Sequence, residues 1–261
     1  MVMERVERGW GLGASSEFDD RLGVPDSRRL DRVRRAIDGV GLRMHGQPIV
    51  RLEDCSVIGC EALARFDGEP ESTPVTWFNS AESFGLREDL ELAAIQQSLE
   101  ALDVMVGDNY MAINVSPQVA STARLRELLG RFPMERVVLE ITEHDPIDSY
   151  PGLNRALLGM RVDGLRLAID DAGAGYASFR HILHLQPDII KLDGTWVADI
   201  EADVARRALI SALVGYAREM DAVVIGEWVE TREQAVILRD LGVQFGQGYL
   251  FGRPSMLRPA A

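Results

Sequence analysis

The sequence predicts an α/β protein, specifically a modified TIM (β/α)8 barrel with an antiparallel first strand. Its length of 261 residues suits a single barrel of this kind. Strand-like and helical runs alternate along it, as is typical of parallel strands covered by helices. Only about six residues, 51–56, join the first two strand-like runs. A linker this short cannot form a helical crossover, so it predicts an antiparallel hairpin at the start of the barrel.

Eight strand-like runs follow one another after residue 41. They lie near 42–50, 57–66, 110–115, 136–141, 166–170, 188–192, 222–226 and 244–250. Helical patterns separate most of them, near 87–104, 120–130, 150–160, 177–185, 203–219 and 230–241. Eight strands within about 215 residues fit a closed barrel better than an open sheet.

The two ends of the chain lack this alternation. The first 26 residues mix Gly, Ser and charged residues without a clear period, which is typical of a tail or linker. From Ser27 to Asp38 the apolar residues recur at helical spacing, so we expect a leading helix capped by Asp26 or Ser27. The predicted division is an N-terminal tail at 1–26, a barrel with its leading helix at 27–256 and a C-terminal tail at 257–261.

Composition excludes several classes of protein. With 28 basic residues against 41 acidic ones, the net charge is −13, which argues against binding to a nucleic-acid polymer. The charged amino terminus lacks the apolar core of a signal peptide, and no stretch has the length of a membrane span. The hydrophobic content of 46% is ample for a large core. We therefore expect a cytoplasmic, globular protein.

Five of the strand-like runs end on a carboxylate or an amide. These residues are Glu61, Asn114, Glu140, the pair Asp170–Asp171, and Glu227. Because barrel strands all end at one face, we expect them to lie together there, with Lys191 and Gln247. Carboxylates so close repel one another unless cations are bound, and oxygen ligands alone favour Mg²⁺ or Mn²⁺ over zinc. Two such ions suit displacement at a phosphate.

Each of these residues also has a simpler interpretation. A single acid at a strand end often caps the next helix, and Lys191 alone could be a surface lysine. The segment from Asp170 to Gly175 could be a Gly-rich turn, since it lacks the Lys-Ser/Thr that follows a nucleotide P-loop. The co-occurrence of the acids at successive strand ends is what favours a metal site.

Short motifs along the chain also resemble those of a known family. They are Gln47-Pro48-Ile49-Val50, Glu61-Ala62-Leu63 with Arg65, Asn114-Val115-Ser116, Glu140-Ile141-Thr142-Glu143, Asp170-Asp171, Gly173-Ala174-Gly175-Tyr176, Ile190-Lys191-Leu192-Asp193, Glu227-Trp228-Val229-Glu230-Thr231 and Gln247-Gly248-Tyr249-Leu250-Phe251. In this order they resemble the EAL domain, the cyclic di-GMP phosphodiesterase family. The resemblance runs from about Leu42 to Pro254.

The resemblance implies hydrolysis of one phosphodiester bond of cyclic di-GMP to linear pGpG, with two Mg²⁺ or Mn²⁺ ions as cofactors. On the matching positions, the first ion would be held by Glu61, Asn114, Glu140 and Asp170. Asp170 would bridge to a second ion, held with Asp171 and Glu227. Lys191 would orient the attacking water or stabilise charge on the phosphate. The implied catalytic residues are Glu61, Asp171, Lys191 and Glu227.

The resemblance also implies a set of substrate-binding positions. These are Gln47, Ala64, Arg65, Glu143, Asp193, Glu230 and Gln247. The Arg65 guanidinium suits a phosphate because it can donate two parallel hydrogen bonds. Glu143 resembles a glutamate that braces the loop after the Asp pair, so its role would be supportive.

Several residues depart from the family pattern. Ala172 stands where the family usually has Phe, and Ala174 and Ala177 each replace a hydroxyl residue. We expect this loop to be held less tightly, which would weaken either the affinity for the second ion or the coupling within a dimer. Gly194 replaces the usual Arg, and Trp228 replaces the usual Gly beside Glu227, which changes the walls of the site rather than the metal ligands.

Two alternative functions remain open. The same barrel could be a catalytically weak or inactive cyclic di-GMP receptor or protein-interaction module, for which the altered loop is the only support. A different metal-dependent barrel enzyme acting on a carboxylate substrate would explain the acids but not Gln47, Arg65 and Gln247. The resemblance further implies a homodimer and a regulatory partner or sensor domain outside this chain.

Overall fold

In the computed structural model, residues 25–67, 73–142, 146–173 and 176–257 are described. Within them, eight strands close into a barrel in the order β2-β3-β4-β5-β6-β7-β8-β1, and a short β9 pairs with β1. The strands are β1 (Leu42–Arg51), β2 (Val57–Phe66), β3 (Tyr110–Asn114), β4 (Val137–Thr142), β5 (Arg166–Ala172), β6 (Ile189–Leu192), β7 (Val223–Gly226), β8 (Phe245–Gln247) and β9 (Ser255–Met256). The predicted closed barrel is confirmed.

Strand β1 runs opposite to its neighbours. It pairs antiparallel with β2 and with β8, whereas the other neighbouring pairs from β2 to β8 are parallel. The short turn between β1 and β2 forces this reversal, with Cys55 in a left-handed conformation (φ 59°). The register places Gln47 opposite Glu61, and Ile49 opposite Gln247. The predicted antiparallel first strand is confirmed.

Helices cover the outside of the barrel. They are α1 (Pro25–Ile37), α2 (Pro74–Ser83), α3 (Arg87–Leu99), α4 (Pro117–Ala120), α5 (Ala123–Leu129), α6 (Tyr150–Val162), α7 (Tyr176–Leu185), α8 (Gly194–Val197), α9 (Val204–Glu219) and α10 (Arg232–Asp240). The leading helix exists, but it begins at Pro25. The predicted cap at Asp26 or Ser27 is therefore wrong, because both residues lie in the first turn.

Helix α2 is an element that the sequence pattern did not predict. Its apolar residues are too sparse for a clear helical stripe, but Thr73 caps its first turn and Pro74 opens it. Trp77 of this helix stacks on Phe66 at the end of β2, with ring centroids 4.6 Å apart. Phe78 of the same helix packs edge-on against Phe66, with centroids 5.9 Å apart, so aromatic packing holds a helix that periodicity does not indicate.

Two apolar layers hold the barrel together. The larger one lies between the strands and the helices, where most of the buried Leu, Ile and Val side chains pack. A smaller one fills the barrel interior and is made of Ile49, Tyr110, Ala112, Val138, Ala168, Ile189 and Ile225. The inner layer fills the barrel below the carboxyl ends of its strands.

Within the described ranges, no helix combines the length and the apolar character that crossing a membrane requires.

Candidate active site

The polar residues at the strand ends form the layer directly above the apolar interior. Side chains alternate between the two faces of a strand, so an inward residue is followed by another inward residue two positions later. Val138 is thus followed by Glu140, Ala168 by Asp170, and Ile189 by Lys191. Ala112 and Ile225 stand in the same relation to Asn114 and Glu227. The barrel therefore brings the predicted acids to one end of its interior.

Lys191 lies at the centre of this layer. Its ammonium nitrogen is 2.8 Å from Asp170 Oδ1, 2.9 Å from Glu227 Oε1 and 3.0 Å from Glu140 Oε2. Glu61 Oε2 lies farther away, at 3.4 Å. The Lys191 side chain is 0% exposed, so the interpretation as a surface lysine is wrong. One ammonium is surrounded by four carboxylates in a place that excludes water.

Glu61 is held by amides as well as by the lysine. Asn114 donates to its Oε1 at 3.0 Å, and Gln247 donates to its Oε2 at 2.6 Å. Gln247 also contacts Gln47 Oε1 at 3.3 Å, and Gln47 in turn donates to the backbone oxygen of Gly252 at 3.2 Å. Three amide residues predicted for the site therefore fix the orientation of one carboxylate.

The carboxylates form two groups that could each hold a metal ion. One consists of Glu61, Glu140 and Asp170, and the other of Asp170, Asp171 and Glu227. Within each group the candidate ligand oxygens lie within 4.8 Å of one another. Asp170 belongs to both groups, as a bridging ligand would. The oxygen-only donor set fits Mg²⁺, Mn²⁺ or Ca²⁺.

A bulge in β5 brings Asp171 into the second group. Between Ile169 and Ala172 the register against β6 shifts by one residue, so that Asp170 and Asp171 together oppose a single position. Asp171 adopts a left-handed conformation, with φ 53°. Consecutive residues of a regular strand point to opposite faces, and the bulge removes this restriction. Both acids can therefore serve one site.

Burial and mutual repulsion set the protonation of the cluster. Burial, together with the nearby Glu61 and Asp170 charges, holds the pKa of Glu140 well above its usual value despite Lys191. Burial and the Asp170 charge likewise raise the pKa of Glu227. Burial also opposes ionisation of Glu61, but Lys191 and the hydrogen bonds from Gln247 and Asn114 hold its pKa below the usual value. Without cations the cluster therefore favours proton uptake at Glu140 and Glu227, because one ammonium does not balance the carboxylates around it.

The structure brings some of the predicted substrate-binding residues together and not others. Gln47 and Gln247 join the acid layer, and Arg65 shares the face of β2 that carries Glu61. The Ala64 side chain packs in the outer apolar layer, and its backbone oxygen accepts a hydrogen bond from Arg65 at 2.8 Å.

The remaining predicted positions lie at the rim or outside the described residues. Asp193 caps α8 by accepting from the Thr195 backbone at 2.9 Å, and Glu230 is exposed beyond β7. Glu143 lies outside the described residues. Ala174 does too, whereas Ala177 lies in the first turn of α7. Ala172 is buried and borders an apolar cavity of about 300 Å³ between α7 and α9.

Glu91 supports the site although the sequence pattern did not single it out. This buried residue of α3 accepts hydrogen bonds from the backbone N–H and the hydroxyl of Ser116, at 3.0 and 2.9 Å. Arg87 balances its charge at 2.7 Å. Ser116 lies two residues after Asn114, so Glu91 fixes the loop that follows a candidate metal ligand. An acid on an amphipathic helix carries no signal of such a contact in the sequence.

The chain is similar to several known proteins. The sequence model of the EAL domain matches residues 30–254. Probable cyclic di-GMP phosphodiesterase PdeA of Escherichia coli is 31% identical over 237 residues, covering 87% of this chain and 32% of PdeA. Cyclic di-GMP phosphodiesterase RocR of Pseudomonas aeruginosa is 32% identical over 233 residues, covering 85% of this chain and 59% of RocR. The chain thus spans about a third of the length of PdeA.

Solved structures show the same architecture. The EAL enzyme Bd1971 in its cAMP and cyclic-di-GMP bound form aligns with a TM-score of 0.78 and 27% identity, over 89% of this chain and 67% of that chain. A manganese/cy-diGMP complex of BlrP1 from Klebsiella pneumoniae aligns with a TM-score of 0.73 and 29% identity, over 84% and 57% respectively. The family match covers most of the barrel, and this chain belongs to the EAL domain family.

Proposed function

We propose that this chain hydrolyses one phosphodiester bond of cyclic di-GMP, releasing linear pGpG, in bacterial second-messenger signalling. The observation that carries the proposal is the pair of carboxylate groups that share Asp170 around Lys191. A site for in-line displacement at a phosphate needs this combination of shared ligands and buried positive charge. The relatives PdeA and RocR are named as a probable cyclic di-GMP phosphodiesterase and a cyclic di-GMP phosphodiesterase, respectively, and these names support the choice of substrate.

The charge of the cluster supports two divalent ions. Five carboxylates and one ammonium face one another in the layer, which leaves four negative charges when all are ionised. Two divalent cations would neutralise this excess. We assign the first to Glu61, Asn114, Glu140 and Asp170, and the second to Asp170, Asp171 and Glu227. Bound there, such ions would lower the pKa of the attacking water and neutralise the phosphate.

The protein's own residues would then position the substrate. Lys191 lies between the two carboxylate groups, where its ammonium can stabilise negative charge that develops on the phosphate. Arg65, on the same face of β2 as Glu61, would donate two hydrogen bonds to a phosphate. Gln47, Asp193, Glu230 and Gln247 would contact the rest of the dinucleotide, with Glu143 in a supporting role.

A product assay with a matched pair of variants tests this function. Purified protein is incubated with cyclic di-GMP and either Mg²⁺ or Mn²⁺, and pGpG is quantified by chromatography. We expect turnover by the wild type and loss of most of it in Glu61→Gln, because an amide is a poorer ligand for a hard cation. Glu53→Gln, an exposed site in the β1–β2 turn, is the control and should match the wild type. Absence of product with both ions would refute the proposal.

A second candidate function rests on Ala172. Ala172 lacks the aromatic side chain that usually stands at this position and borders the cavity, so in this alternative the loop after Asp171 holds the second ion too weakly for turnover. The chain would then be a cyclic di-GMP receptor or interaction module. Calorimetry in Mn²⁺ distinguishes the two functions, since a receptor binds cyclic di-GMP tightly without forming product.

The partners and the compartment are also proposals. We propose that the chain forms a homodimer through α7 and α9, where Phe179, Leu183 and Leu209 are exposed around the cavity. Sedimentation of the wild type and of Leu183→Asp tests the dimer, which the added charge should dissociate. We place the protein in the cytoplasm, with its regulatory partner or sensor domain outside the barrel and no polymeric nucleic acid as a ligand.

A further inference from the structure

Trp228 has a backbone conformation that aromatic residues seldom adopt. Its φ angle is 54°, in the left-handed region where a side chain crowds its own backbone. Residues held in this way cluster at functional sites, because the surrounding structure must maintain the strain. Trp228 also follows Glu227 directly, at the end of β7.

Packing in the core does not explain this residue. Trp228 is 49% exposed, whereas Glu227 and Val229 on either side of it are buried. A tryptophan stabilises a fold mainly by removing its surface from water, and about half of the surface of this residue remains in water. A strained, half-exposed indole at the open end of the barrel therefore suggests a role in contacting a ligand.

Gly194 makes room for the indole. It follows Asp193 just beyond β6, the strand that pairs with β7. A Cβ atom at position 194 would lie 2.5 Å from Cδ2 of Trp228, closer than real Cβ contacts. The two departures from the family pattern noted in the sequence are therefore spatially complementary. Glycine at position 194 allows the Trp228 ring to lie across the end of β6.

The chain positions that flank the indole adjoin the acid layer. Gly194 is three residues beyond Lys191, and Glu227, the neighbour of Trp228, is 2.9 Å from the Lys191 ammonium. A ligand whose phosphate reached the carboxylate groups would have its adjoining parts at this rim. Of those parts, a nucleobase has the flat π surface that stacks on tryptophan.

We propose that Trp228 is a substrate-binding residue whose indole stacks on one purine base of the cyclic dinucleotide. The stacked base would hold the adjoining phosphate over the two carboxylate groups. This inference rests on the proposed function, because it identifies how the same substrate is held. Stacking recognises the face of a base rather than its edge, so Trp228 would supply affinity for purines without selecting guanine.

Steady-state kinetics of ring-deletion variants test the stacking. Trp228→Gly removes the ring and tolerates the left-handed backbone, so it keeps the fold. With cyclic di-GMP and Mn²⁺, we expect its KM to rise roughly 5- to 100-fold while kcat changes less than about twofold. Trp228→Phe should retain a KM within a few-fold of the wild type. Val162→Ala, an exposed apolar residue at the carboxyl end of α6, is the control and should leave KM unchanged.

Two further measurements separate stacking from a purely structural role. Titration of the wild type with cyclic di-GMP in Ca²⁺ should quench part of its tryptophan fluorescence. Trp228→Phe should still bind cyclic di-GMP, but the part of the quenching that comes from Trp228 should be absent. Gly194→Ala should raise KM by displacing the Trp228 ring. In the Trp228→Gly background the same substitution should not change KM further, because no ring is left to displace and the effects of coupled sites are not additive.

The outcomes distinguish this inference from the proposed function. If the wild type hydrolyses cyclic di-GMP and Trp228→Gly keeps the wild-type KM, or loses only kcat, then the stacking role is wrong and the proposed function stands. If the wild type neither binds nor hydrolyses cyclic di-GMP, the proposed function is wrong and the stacking role fails with it.

Discussion

Lys191 and Glu140 form a buried ion pair at the centre of the barrel, with 3.0 Å between Nζ and Oε2 and side-chain exposures of 0% and 1%. Of the 28 Lys and Arg residues in the sequence, Lys191 is the only lysine, and all the others are arginines. A compact ammonium can fit among four carboxylates where the larger planar guanidinium cannot. The position therefore requires lysine in particular, and not merely a positive charge.

The first prediction concerns the charge and the shape of Lys191. Lys191→Arg should keep the charge but lose activity by about a hundredfold or more, because a displacement of about 1 Å in an active site has that effect. Lys191→Met should lower the free energy of unfolding by about 3–5 kcal/mol in EDTA, since it leaves buried carboxylates without a positive charge beside them. Urea denaturation measures this loss of stability. Repeating the measurement with Mn²⁺ should restore much of the lost stability, because the ion supplies positive charge. Equal activity of Lys191→Arg and the wild type would contradict the prediction.

A second prediction compares two glutamates near Arg87. Glu91→Ala should lower the free energy of unfolding by about 3 kcal/mol. The substitution removes the acceptor of the Ser116 N–H and hydroxyl and the carboxylate that pairs with the Arg87 guanidinium. Glu82→Ala is the matched control: Glu82 lies 3.6 Å from Arg87, but its side chain is 64% exposed, so its loss should cost less than about 1 kcal/mol. Urea denaturation of both variants measures the two losses of stability. Similar losses in the two variants would show that the Ser116 contacts contribute nothing.

The third prediction concerns pH and metal affinity. Burial raises the pKa of Glu140 and Glu227 above the ordinary value of 4.5, so both bind protons more tightly in the folded protein than in the unfolded chain. Their contribution to stability without metal therefore falls as the pH rises from 4.5 towards the raised values. Metal ions compete with these protons, so Mn²⁺ affinity should fall as the pH is lowered through the raised pKa values.

Calorimetry at several pH values checks this competition. The increase in melting temperature caused by Mn²⁺ should be larger at pH 8 than at pH 5. Mn²⁺ binding at the lower pH should also release protons, as measured in buffers of different ionisation enthalpy. Glu140→Gln is the control, because it carries no titrating group at that position and should show a weaker pH dependence. A Mn²⁺ affinity independent of pH would contradict the prediction.

The fourth prediction concerns the two cysteines. Burial raises the pKa of the Cys60 thiol to about 12, whereas Cys55 is exposed in the β1–β2 turn. Because the thiolate is the reactive form, native protein at pH 8 should expose one rapidly reacting thiol to a disulfide reagent, and the second only after unfolding. Cys55→Ser should abolish the rapid phase. Two fast thiols in the wild type would show that Cys60 is accessible.

Much of the fold could be predicted because it depends on local pattern. The alternation of strands and helices, the short linker 51–56 and the acids at strand ends are all visible in the chain. Helix α2 was missed because the packing of Trp77 and Phe78 on Phe66, a contact between different elements, has no signal in the periodicity. The helical run 87–104 becomes α3 followed by a 3₁₀ turn, Glu100–Val104, a change that periodicity does not indicate.

The sequence by itself determined which residues end the strands, and therefore that carboxylates and amides would meet at one end of the barrel. Only the tertiary structure decided how they meet. The bulge in β5 brings Asp171 beside Asp170, and barrel closure puts Lys191 among four carboxylates. Glu91 at Ser116 and Gly194 beneath Trp228 are likewise contacts between distant segments. Such contacts arise from register and closure, which the order of residues along one strand does not contain.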